Sequence, residues 1–142
     1  MAARVSAALR LRGPAGPLKA EITWPEHEPA AVLVFIGEAD PSCRALGDAL
    51  QAVTLSAACE THQDARAALE WTGDHAAQLG ADPSRLILAA AGPAAVFAAQ
   101  AACEEWPAIE RLVLIDPELG DDTPLPQVPV AIVARGELAA VR

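Results

Sequence analysis

Four residues have the types needed for proton transfer, and each follows an apolar run: Glu38, Asp40, His62 and Asp116. Carboxylates beside an imidazole can hold and move protons on a polarised substrate without any nucleophile. Cys59 and His62 carry a second possibility, an activated thiolate, if their side chains meet. The competing reading makes His62 a surface residue of the first turn of a capped helix. Asp40, Cys43, Cys59 and His62 have mixed oxygen, sulfur and nitrogen donors that suit zinc. They lack the tight spacing of a ligand motif, so the chain is read as holding no metal and no cofactor. Ser42 and Ser56 are read as capping or buried hydroxyls, His27 and His75 as solvent residues, and Asp116-Pro117 also as a turn former.

These residues need elements to place them. AVLVFIG (31–37), RLILAA (85–90), RLVLID (111–116) and PVAIVA (129–134) are short, continuous apolar runs, and AVTLSA (52–57) is a weaker one. Such runs suit strands buried on both faces of a parallel sheet. Between them, Ala65, Ala68, Leu69, Thr72, Ala76 and Leu79 recur at helical spacing, which predicts a helix over 62–80. Thr61 with Asp64 starts it and Gly80 ends it. Asp40 and Pro41 predict a helix over 41–51, and Gly92-Pro93 opens another over 93–105 that must stop before Pro107. In the first 25 residues, alternating stretches flank Gly13-Pro14-Ala15-Gly16, the pattern of an antiparallel hairpin. The expected fold is α/β: a three-layer α/β/α sandwich, mostly parallel, with an N-terminal antiparallel hairpin at its edge, in a single domain over 1–142. The Pro-rich stretch 116–129 reads as a loop. Trp24, Trp71 and Trp106 read as packing residues.

Of the 142 residues, 53% are hydrophobic but only 4% aromatic, so Ala, Leu and Val must build the core. A net charge of −9 opposes a polyanionic partner, which excludes nucleic acid as the expected ligand. No apolar stretch reaches the roughly 18 residues of a membrane span, and the N-terminus lacks a signal-peptide core. Three cysteines without paired spacing read as free thiols, and the chain is expected in the cytoplasm.

The stretch LILAAAGPAAVFAAQ (86–100) runs an apolar strand through Gly-Pro into an Ala-rich helix, the layout of a nucleophile elbow. DARAALEWTGDHAAQLGADPSRLILAAAGPAAVFAAQAA (64–102), VLVFIGEAD (32–40), IERLVLIDP (109–117) and VPVAIVARGE (128–137) together resemble the α/β-hydrolase family, in particular esterases of the hormone-sensitive-lipase type. The resemblance implies a serine nucleophile where this chain has Gly92. It implies an oxyanion N–H where Pro93 has none to give, and a His-Gly-Gly loop where Ile36-Gly37-Glu38 stands. After the last apolar run it implies an acid and a histidine, and no Asp follows Gly136. Gly37, Glu38 and Gly92 are the implied ligand-binding positions.

Two functions follow as expectations. One is a non-catalytic hydrolase-like protein acting by protein association, as a homodimer or with a partner through the edge strand 129–134, or by binding a small apolar ligand. The alternative is an enzyme with rebuilt acid–base chemistry at Glu38, Asp40, His62 and Asp116, such as a cyclase, isomerase or lactone-forming activity. A conventional serine esterase is not expected.

Overall fold

The computed structural model describes residues 6–14, 16–25, 28–29, 31–37, 40–82, 84–103, 109–120 and 122–134. The strands are β1 (Ser6–Gly13), β2 (Gly16–Thr23), β3 (Ala31–Ile36), β4 (Ala52–Ala57), β5 (Leu86–Ala91), β6 (Arg111–Ile115) and β7 (Val130–Val133). They form one sheet in the order β1-β2-β4-β3-β5-β6-β7. β1 and β2 pair antiparallel, β2 joins β4 antiparallel, and every later pair is parallel. The antiparallel hairpin therefore lies at one edge of a parallel sheet, as the sequence pattern predicts.

The continuous apolar runs become the central strands because both of their faces are covered. All six residues of β3 and of β4 are buried, including the run 52–57 that reads as the weaker one. On one face, α1 (Pro41–Leu50) sets Cys43 and Leu46 against Leu33, Phe35, Ile87 and Ala89. On the other, α2 (His62–His75) and α3 (Ala95–Ala102) cover Val32, Val34, Leu55, Leu88 and Leu112. Each fully buried Leu, Val or Phe of β3 contributes about 1.5–3 kcal/mol. α3 buries Ala95, Ala98, Ala99, Ala101 and Ala102, and its methyl groups let it lie close to both α2 and the sheet. α1 approaches closely too. A Cβ added to Gly47 would stand 2.5 Å from Thr54 Oγ1 on β4, so only glycine fits there.

Local chemistry sets the helix ends. Asp40 Oδ1 accepts the N–H of Cys43 at 2.9 Å, with Pro41 in the first turn of α1. Thr61 Oγ1 accepts the N–H of Asp64 at 3.1 Å, and Asp64 Oδ2 accepts from Glu60 N–H at 3.1 Å. The return bond reaches one residue further back than in a capping box. Regular α2 ends at His75, five residues before the predicted end. The turn continues, however: Gly80 N–H donates to Ala77 O and Ala81 N–H to Ala76 O, with Gly80 at φ 85°. That is a Schellman motif closed by glycine. Trp24 Nε1–H donates to Leu79 O at 3.2 Å and ties this end to the segment after β2. α3 begins later than predicted, after a single 3-10 turn at Gly92–Ala94. It ends at Ala102, with Cys103 as its C-cap, three residues before the predicted end and ahead of Pro107. Trp106 lies outside the described residues.

Candidate functional site

The parallel strands deliver their C-terminal ends to one rim, the position where open α/β sheets bind ligands. Gly37 follows β3, Cys59 and His62 follow β4, Gly92 follows β5, and Asp116 follows β6.

The turn after β5 is the sharpest of these. Ala91 is extended at φ −125°, and Gly92 swings to φ 58°, a left-handed conformation that costs an L side chain strain. Pro93 then sets the first helical turn. Gly92 O accepts N–H groups from Ala95 and, at 3.1 Å, from Glu118. A Cβ placed on Gly92 would meet only Glu118 Oε2, at 3.6 Å. There is room for a side chain at the tip, and none is there. Glu118 is not a residue that the sequence singles out. Only the folding of the loop after β6 back across β5 brings its carboxylate to Gly92, and no local pattern signals that.

Gly37 adopts φ 140° and donates its N–H to Ala57 O at 2.7 Å. It borders an open groove of about 310 Å³ whose other walls include Lys19, Glu21, Ser56 and Ala58. Ser56 is buried and donates to Glu21 O at 3.5 Å. Asp40, His62 and Asp116 do not line this groove. Asp40 spends one carboxylate oxygen on the cap of α1. His62 is the first residue of α2, at the β4 end of the rim. Asp116 is exposed beyond β6, at φ 42°, and its N–H donates to Val133 O at 2.9 Å. The ends of β4 and β6 are three strand spacings apart, roughly 14 Å. His62 and Asp116 thus stand on opposite flanks. Glu38 and His27 lie outside the described residues.

Burial, and secondarily Asp64, pushes the Cys59 thiol up to about 12. Burial followed by Asp40 does the same to Cys43, also to about 12. Both thiols are protonated at neutral pH, the opposite of an activated nucleophile or a ready metal ligand. No hydrogen bond joins Cys59 to His62, and no group of three metal-ligating side chains gathers among the described residues. Trp71 stacks on His75 with ring centres 4.2 Å apart, and His75 Nδ1 lies 2.7 Å from Trp71 O, so this aromatic is engaged within α2.

Strand order, crossovers and the turn after β5 together define the α/β-hydrolase fold. Solved esterases share it. A thermophilic carboxylesterase from a metagenomic library, EstE1, superposes with a TM-score of 0.70 at 23% identity, over 80% of this chain and 47% of that one. Esterase LipW from Mycobacterium marinum gives 0.72 at 23% identity over 96% and 52%. A bacterial heroin esterase gives 0.70 at 24% identity over 83% and 46%. At such identity the likeness establishes the fold alone. The chain spans about half the length of these esterases. No protein-family profile and no curated protein matches it.

Proposed function

We propose that this chain is a non-catalytic α/β-hydrolase-fold protein that acts by association. One observation carries the reading. The turn after β5 keeps left-handed backbone at Gly92, with space for a side chain, yet presents no nucleophile, and Pro93 beside it has no N–H for an oxyanion. A frame without that nucleophile can still bind. The partner surface we assign is the β7 edge, a second copy or another protein pairing along 129–134. Among the described residues β7 is the outermost strand on that side, and its Ile132 is 59% exposed. Unpaired apolar edges of this kind invite strand pairing. The three thiols are free, which fits a reducing compartment such as the cytoplasm. Among the described residues no helix is long and apolar enough to cross a membrane.

The groove beside Gly37 favours a second reading, a small organic ligand held at the rim. The acid–base alternative gains no support from the placement of Asp40, His62 and Asp116. Two measurements test the proposal. Purified protein is incubated with a fluorophosphonate probe and with a p-nitrophenyl ester, where no labelling and no turnover above buffer are expected. Light scattering at micromolar concentration is expected to report a dimer. Labelling at a serine overturns the non-catalytic reading, and a stable monomer without a co-purifying partner overturns association through β7.

A further inference from the structure

The sheet has a second edge, and its chemistry is the reverse of β7. β1 is eight residues long and, among the described residues, pairs with β2 alone. The turn joining them is two residues, with Gly13 opposite Gly16. Pro17, opposite Arg12, has no N–H, so Arg12–Pro17 belongs to the non-hydrogen-bonded set of the ladder. By alternation so do Arg10–Lys19, Ala8–Glu21 and Ser6–Thr23. Ser6, Ala8, Arg10 and Arg12 therefore turn their backbone N–H and C=O groups outward, to the free edge.

The same alternation sorts the side chains. Leu11 is buried and Leu9 half-buried on the α2 face. Arg10, Arg12 and the cross-strand Lys19 are all exposed on the other. None of the three has an ion-pair partner among the described residues. Arg10 and Lys19 sit directly opposite each other, a like-charge pairing that destabilises a hairpin. Glu21, half-buried opposite Ala8, shares that face, so the hairpin face carries three cations against one carboxylate, a local reversal of sign in a chain of net charge −9.

We infer that the β1 edge is a strand-addition site for an extended acidic segment of a partner protein. The added strand would bond to the outward backbone groups of β1. Its acidic side chains, at every second position, would face Arg10, Arg12 and Lys19. Its intervening apolar side chains would extend the surface of Leu9 and Leu11 over α2. Charge complementarity selects the peptide. The overall negative charge sets nucleic acid and anionic membrane aside, because repulsion from the rest of the molecule opposes a long polyanion. The inference is independent of whether the rim is catalytic.

A capped, fluorescently labelled peptide of four Val-Glu repeats is titrated into the full chain and read by anisotropy. Saturable binding is expected, weakening between about 50 and 300 mM salt as exposed charge pairs are screened. The same peptide N-methylated at alternate residues keeps its charge but cannot join a ladder, and its affinity is expected to fall at least about tenfold. The Arg10→Glu/Arg12→Glu protein is expected to lose a similar factor while keeping its circular dichroism spectrum. Equal binding of the methylated and unmethylated peptides overturns strand addition whether or not the double variant folds. Absence of binding at low salt also overturns it, and the cations then serve only to guard the edge. Tighter binding of a thymidine oligonucleotide or of phosphatidylserine vesicles than of the peptide overturns the choice of partner.

Discussion

Replacing Gly92 with serine tests the proposal that the turn after β5 is a nucleophile turn without its nucleophile, and its two expected consequences are separable. The first is structural. At φ 58° an L side chain costs about 1–2 kcal/mol. The added Cβ meets nothing nearer than Glu118 Oε2 at 3.6 Å, so no steric cost is added to the backbone cost. For a chain of this size the loss corresponds to a melting temperature lower by on the order of 5 °C. The second is chemical. A serine hydroxyl is a weak nucleophile until a base takes its proton. His62 heads α2 at the β4 end of the rim and His75 is stacked on Trp71, so neither is placed beside the tip of β5. Residue 93 contributes no oxyanion N–H, a donor whose loss alone costs about 10²–10³ in rate. Gly92→Ser is therefore expected to fold, to melt slightly earlier in a calorimetric scan, and to remain unlabelled by a fluorophosphonate. A loss of stability far beyond about 2 kcal/mol would refute the open space at the tip. Rapid labelling of the introduced hydroxyl in that variant would refute the absence of a working base and oxyanion site among the described residues.

Other expectations follow from packing and titration. Gly47→Ala gains helix propensity of about 1 kcal/mol but drives a methyl into Thr54 Oγ1. A net loss of about 1–2 kcal/mol is expected in urea unfolding, recovered in large part by adding Thr54→Ala. The raised Cys43 and Cys59 thiols release protons more readily when the chain unfolds. Their contribution to stability is thus complete below the ordinary thiol value and is lost as pH rises toward about 12. The urea midpoint should fall between pH 8 and 10, roughly one to two units around the ordinary thiol value, and a disulfide reagent should titrate exposed Cys103 well before the other two. Ile132→Lys is expected to leave the melting temperature nearly unchanged, since the side chain is 59% exposed, and to shift light scattering toward monomer.

What the sequence disclosed is what short-range chemistry decides. Both helix starts, Asp40-Pro41 and Thr61, and the glycine that ends the turn after α2 act within four or five residues, and each is where the pattern puts it. The buried strands were legible because a strand covered on both faces needs no polar alternation. The site depends on longer reach. Glu118 meets Gly92 because two loops from neighbouring strands converge. The groove beside Gly37 takes Lys19 and Glu21 from the hairpin and Ser56 from β4, segments that share no spacing in the chain. Conversely, Asp40 lies close in sequence to a rim loop but caps α1, and His62 follows the cap Thr61 as the first residue of α2. A residue's type gives its chemistry, while the strand order 2-4-3-5-6 decides which residues share a space.

The direction of the strands has a consequence for assembly. Two antiparallel steps, β1 to β2 and β2 to β4, return the chain to its original heading, so β1 runs the same way as β7. A two-fold contact of β7 with its own copy is antiparallel and closes after two molecules. A contact of β7 with β1 of another copy is parallel, uses unlike surfaces, and leaves a free β1 and a free β7 at its ends. It would repeat without limit, as a ribbon. Among the described residues, the cations along β1 and the four-residue length of β7 both disfavour that open-ended mode.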